Sequence, residues 1–200
     1  LYTIPGQGPL TGGWSVGAIG NARSGLPVPV LIGRNDIVYV DGAGSVFLNP
    51  AADRTAVVNT PGGGASRSTR RPDVVPGVDP FIKDGGLVFL NPAAFSAPKP
   101  GTFGNLPRNF LRGPSFAQAD LMVSKDFQMG GQSIQVRAEI FNIINKLNYE
   151  SPATTLPNGT PGVPFTDAQA GTFGYMLGPL NRTVGMGTAR QTQLSVRYSF

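Results

Sequence analysis

Residues with acid–base potential cluster in the first half of the chain. Asp36, Asp41, Asp73, Asp79 and Asp84 are spread through a Gly- and Pro-rich stretch. Two carboxylates brought to one site would serve as the acid and base of a glycosidase. Asp is also a favoured turn residue, and Asp41-Gly42 and Asp84-Gly85 read as turns. No nucleophile elbow, phosphate-binding loop or EF-hand pattern accompanies them. The chain has no cysteine and no histidine. That removes disulfides, thiol catalysis, nearly all zinc chemistry and the commonest general base. We therefore expect a chain that is not an enzyme, with no metal and no cofactor.

Basic residues point no more sharply. The net charge is +5, but Arg67, Arg70 and Arg71 form the one cluster, which reads as a solvated loop. Nucleic-acid binding asks for a basic face interleaved with aromatics, and none is apparent, so no nucleic-acid partner is expected. Charged residues make up only 14% of the chain, while Gly (28) and Pro (19) are abundant. A soluble domain carries about a quarter charged residues. No apolar run is long enough for a transmembrane helix. The chain starts at Leu1 without a signal peptide, so we expect a piece of a longer polypeptide.

The elements that must carry any surface are extended. At the chain end Leu194, Val196, Tyr198 and Phe200 alternate with Gln193, Ser195, Arg197 and Ser199. A two-residue period gives a strand with one greasy and one wet face. Ile134, Val136, Ala138 and Ile140 alternate with Gln135, Arg137 and Glu139 in the same way. Before them, Ala119, Leu121, Val123 and Phe127 share a face with Lys125, opposite Asp120, Met122, Ser124 and Asp126. Gly130-Gly131 between these two runs signals a hairpin. A fourth run starts near Gly12 with Trp14, Val16 and Ala18. Residues 1–11 read as loop.

Four strands follow, near 12–24, 117–127, 132–142 and 190–200. Each is close to the length that crosses a bilayer when tilted. The connections are long, short, long: loops 25–116 and 146–188 flank the Gly-Gly turn. Outer-membrane barrels show short periplasmic turns and long extracellular loops. The predicted fold class is all-β, with about four C-terminal antiparallel strands of a larger transmembrane β-barrel spanning 1–200. Trp14, Phe127, Tyr198 and Phe200 would line one membrane interface. Asp120, Gln135, Arg137, Glu139, Gln193 and Arg197 would face the lumen. Lys125, on the lipid side, would snorkel to the headgroups. Within the first long loop, Val46-Phe47-Leu48-Asn49-Pro50-Ala51-Ala52 recurs as Val88-Phe89-Leu90-Asn91-Pro92-Ala93-Ala94, read as two similar β-turns.

Several runs carry a resemblance. Leu90-Asn91-Pro92-Ala93-Ala94-Phe95, Gly101-Thr102-Phe103-Gly104-Asn105, Leu111-Arg112-Gly113-Pro114 and Arg137-Ala138-Glu139-Ile140-Phe141-Asn142-Ile143-Ile144-Asn145 are among them. With the terminal aromatic strand and Ser24-Gly25-Leu26-Pro27, these resemble the C-terminal barrel region of TonB-dependent outer-membrane receptors. The likeness is to the Oar-like group that carries a carboxypeptidase-regulatory-like domain. The resemblance implies a large barrel around a plug domain in the outer membrane of a Gram-negative-type bacterium. It implies outer-membrane lipid, an extracellular ligand, and TonB and the plug as partners through an N-terminal part. It also implies that the barrel assembly machinery reads the C-terminal strand. The alternative is a secreted soluble β-sandwich that binds carbohydrate or acts as an adhesive module.

Overall fold

The computed structural model describes residues 1–59, 70–180 and 188–200. Arg67 of the arginine cluster lies outside the described residues. The chain divides into two compact units. The first comprises Leu1–Leu26, Pro114–Glu150 and Gly178–Phe200; the second comprises Pro27–Gly113 and Ser151–Leu177.

The first unit is one antiparallel sheet of five strands: β1 Tyr2–Ile4, β2 Trp14–Arg23, β3 Phe116–Met129, β4 Gln132–Phe141 and β5 Gln191–Ser199. Their order in space follows the chain, the up-and-down order of a meander. Met129 and Gln132 are paired across Gly130-Gly131, whose φ angles are 53° and 96°. Positive φ at both central residues suits a tight hairpin turn whose twist matches the strands. The sheet does not close on itself: β1 and β5 are its edges.

The stretch 1–11 is more ordered than its sequence suggests. Tyr2 pairs with Val16 and Ile4 with Trp14, which makes a fifth strand. A single-turn helix, Gly8–Thr11, sits in the turn that follows. Three residues are too few to display a period, so β1 exists because β2 offers it a partner edge. Segments 5–13 and 130–131 thus connect strands at one end of the sheet. Segments 24–115 and 142–190 leave from the other end.

The second unit holds a hydrophobic core where sequence reading expected long loops. Val28, Val30 and Ile32 point into it, with Leu90, Phe95, Leu106, Leu111, Leu156, Phe165 and Phe173 from distant parts of the chain. Phe95 and Phe173 meet edge to face at 5.6 Å, a preferred aromatic geometry. The strands are mostly two residues long. Pro27–Val28 pairs with Leu111–Arg112, Leu31–Ile32 with Thr155–Leu156, and Asp73–Val74 with Phe95–Ser96. One larger sheet sets Ile37–Asp41 between Val46–Phe47 and Arg54–Val58. Pieces this short show no period, which is why the core was invisible in sequence.

The heptapeptide repeat is a further correction. Its two copies are not the same turn. In the second, Asn91 Oδ1 accepts from Ala93 N at 3.1 Å and caps a 3-10 helix at Pro92–Ala94, with Leu90 fully buried. In the first, Leu48 is exposed and the chain turns later, where Arg54 N donates to Ala51 O. Burial of Leu90 and Phe95 in the core selects the tighter form.

Candidate functional site

The register of the first unit sorts its side chains onto two surfaces. Directly paired residues share a face, and so do residues two apart. Trp14, Lys125, Val136 and Val196 lie in one row across four strands, and Phe127, Ile134 and Tyr198 in the next. Val16, Val123, Ala138 and Leu194 continue the same face. Lys125 and Thr192 are the polar exceptions among its paired positions on β3 and β5. None of these residues joins the buried hydrophobic cluster. Leu194 is 75% and Val196 71% exposed.

The opposite face is polar. Asp126, Gln135 and Arg197 form one row, Ser124, Arg137 and Ser195 the next, and Met122, Glu139 and Gln193 the third, where Met122 is an apolar exception. Asp120 lies on this face further along β3. Gln135 Nε2 donates to Asp126 Oδ1 at 2.9 Å, and Gln118 Nε2 to Asp120 Oδ1 at 2.8 Å. Arg137 pairs with Glu139, two residues along the same strand. Arg137 and Glu139 are thus opposite charges side by side on this face, and Asp120 and Asp126 are held by glutamine amides. All six polar residues singled out in sequence therefore occupy one surface.

The four aromatics Trp14, Phe127, Tyr198 and Phe200 belong to the end of the sheet that carries the short turns. The Tyr198 and Phe200 rings are 6.0 Å apart. Lys125 stands among this group, and its ammonium does not reach outward as expected from sequence. It is 5% exposed and donates to Leu10 O at 3.3 Å and to Gly12 O. It also sits 5.2 Å from the Trp14 ring and 5.3 Å from the Phe127 ring. Trp14 Nε1 donates to the same Leu10 O at 2.9 Å. The turn 5–13 supplies carbonyls that a charged group on an apolar face would otherwise lack.

At the far end, three asparagines to which the sequence alone assigned no structural role tie the strands together. Asn142 and Asn145 have φ of 53° and 54°, the left-handed region that Asn tolerates better than other non-glycine residues. The turn they form ends β4. Asn142 N donates to Asp120 Oδ1 at 2.8 Å, and its buried side chain donates to Lys146 O and Thr188 O at 2.8 and 2.6 Å. Asn145 Oδ1 accepts from Arg190 N at 3.0 Å, just before β5. Asn148 bonds to Ala117. The Asn-x-x-Asn-x-x-Asn spacing after a strand was the available signal.

The loop carboxylates are each held locally. Asp36 forms an ion pair with Arg70 at 2.6 Å. Asp41 Oδ1 accepts from Ala43 N and Ser45 N at 2.9 and 2.8 Å, and the Ser45 bond above all keeps its carboxyl below the usual range. Asp73 accepts from Asn105 N, and Asp84 from Gly86 N. Asp79 is lowered chiefly by its bond with Lys83, then by Phe81 N. No group of His, Cys, Asp or Glu that would hold a metal occurs among the described residues. No described helix is long and apolar enough to cross a membrane.

Residues 6–193 match a family model described as an outer membrane beta barrel domain. No curated protein and no solved structure matches the chain.

Proposed function

The chain belongs to the outer membrane beta barrel domain family and is an outer-membrane protein; on that premise we propose that its sheet is barrel wall in a TonB-dependent receptor of the Oar-like group. The observation that carries the wall is the pair of faces. One is apolar and meets no protein layer in the buried core; the other is charged and hydrogen-bonded. Lipid suits the first and an aqueous lumen the second. Five strands are fewer than the eight or so a barrel requires, so further strands complete it.

Short turns at one end and long segments at the other orient the wall. The turns 5–13 and 130–131 are periplasmic, with Trp14, Phe127, Tyr198 and Phe200 in the interfacial belt. The segments that make up the second unit start and finish at the extracellular end and supply contacts to an extracellular ligand. The role is non-catalytic: the loop carboxylates serve turns and ion pairs. The barrel assembly machinery would engage β5 and the terminal Phe200. TonB and a plug would act through other parts of the intact protein.

The test is TonB dependence. The intact protein, purified from outer membranes in detergent, is mixed with the periplasmic C-terminal domain of TonB. A stoichiometric complex is expected. No complex would sink the receptor reading and leave a structural or adhesive barrel.

A further inference from the structure

The second unit contains a cleft of about 960 Å³, the size of a small-molecule site (~300–1,000 Å³). Its two ends differ in chemistry. One wall is a face of the three-stranded sheet, where Val38 pairs with Val57 and Val40 with Val46. The other carries Arg34 and Lys99, and no carboxylate lines the cleft.

Arg34 is the unusual member. It is 7% exposed, yet it makes no ion pair among the described residues. Nη1 donates to Thr102 O at 2.8 Å; Nη2 donates to Asn59 Oδ1 at 2.8 Å and Lys99 O at 3.1 Å. These partners are neutral. They orient the guanidinium without cancelling its charge, and three of its five N–H donors are used. Burial pushes the guanidinium below its usual value, with Asp73 opposing this from a distance. Residues 60–69 and 181–187 contain no Asp or Glu, so their sequence offers no counter-charge. A buried charge is ordinarily paired, and here the missing partner has a cleft beside it.

We propose that this cleft binds a small amphipathic carboxylate, its anionic head beside Arg34 and Lys99 and its apolar body on the valine face. Arginine suits a carboxylate because the planar fork can donate two parallel bonds. Lys99 is exposed and adds attraction at the entrance. The valine wall rewards an aliphatic chain and gives nothing to a fully polar anion such as phosphate. This assignment deepens the receptor reading by naming a ligand class for the second unit.

Hexanoate and hexanamide are matched probes, equal in body and different in charge. Each is titrated calorimetrically into the intact outer-membrane protein held in amphipol, with empty amphipol as the blank. Saturable hexanoate binding is expected, with hexanamide weaker by about tenfold, the scale of a charge-assisted hydrogen bond. Lys99→Glu should weaken hexanoate by a similar factor and leave hexanamide unchanged. Val46→Gln should weaken both. Both positions are at least partly exposed, and circular dichroism checks that each variant folds. Absent saturable binding, equal affinity for the amide, or indifference to Lys99→Glu would overturn the proposal. TonB binding is scored separately, so failure of the cleft and failure of the receptor reading are distinct results.

Discussion

The side-chain amide of Asn148 pairs with both backbone groups of Ala117. Its Oδ1 accepts from Ala117 N at 2.9 Å and its Nδ2 donates to Ala117 O at 3.0 Å. A side chain here completes the hydrogen bonding of β3 beyond the point where β4 has turned away. Asn148 also accepts from Leu180 N through its own carbonyl, and its side chain is almost wholly buried. One residue thus connects the start of β3 to the segment that leads toward β5.

Replacing Asn148 by Ala should destabilise the wall by about 2–4 kcal/mol, because it removes three side-chain bonds and strands the partly buried N–H of Ala117. Asn142→Ala should cost a similar amount, since it loses bonds to Lys146 and Thr188 and a favoured left-handed residue. Urea unfolding of the intact protein in detergent measures both. The double variant should fall short of additivity, as the two side chains share Lys146 O as acceptor. Full additivity would mean that the asparagines act independently.

Adjacent residues of β5 should respond in opposite ways to the same charge. Leu194→Arg puts a cation on the apolar face, at a cost of about 2–4 kcal/mol near the bilayer midplane. Gln193→Arg puts it beside Glu139, its cross-strand partner, and should be tolerated. The folded fraction in outer membranes, read by heat-modifiable gel migration, distinguishes them. Equal loss for the two variants would contradict the assignment of the faces.

Lys125→Met should release the turn 5–13 from β3. The substitution keeps the length and loses the bonds to Leu10 and Gly12 and the contacts with Trp14 and Phe127. A loss of about 1–3 kcal/mol is expected. Trp14 is the one tryptophan of residues 1–200, and subtracting the emission of Trp14→Phe isolates its signal in the intact protein. The emission should shift and the turn should become more open to protease. Unchanged emission and cleavage would show that the lysine does not hold the turn.

Acid should loosen the turn at Asp41. The Asp41 carboxyl lies below its usual value because it accepts from the Ser45 and Ala43 amides. Its contribution is therefore present above the unfolded carboxylate value, about 3.9, and is lost as pH falls through the lower folded value. Hydrogen exchange at Ala43 and Ser45 should accelerate across that window. In Asp41→Asn, which has no titrating group there, the acceleration should vanish.

The alternation of side chains determined most of the wall. Leu194, Val196 and Tyr198 against Gln193, Ser195 and Arg197 already define a two-faced strand, because a period of two is a local property of extended backbone. Gly130-Gly131 likewise announced its own turn through the positive φ that glycine permits. Tertiary structure decided the rest. Tyr2–Ile4 is a strand only through β2, and Leu48 and Leu90 part company only because one of them reaches a core. That core is assembled from single side chains such as Val30, Phe95, Leu156 and Phe173, far apart in sequence and without a period. Lys125 looked like a residue bound for the headgroups until the Leu10 and Gly12 carbonyls were placed over it. Contacts between distant residues depend on where the backbone brings them, and no local pattern records that.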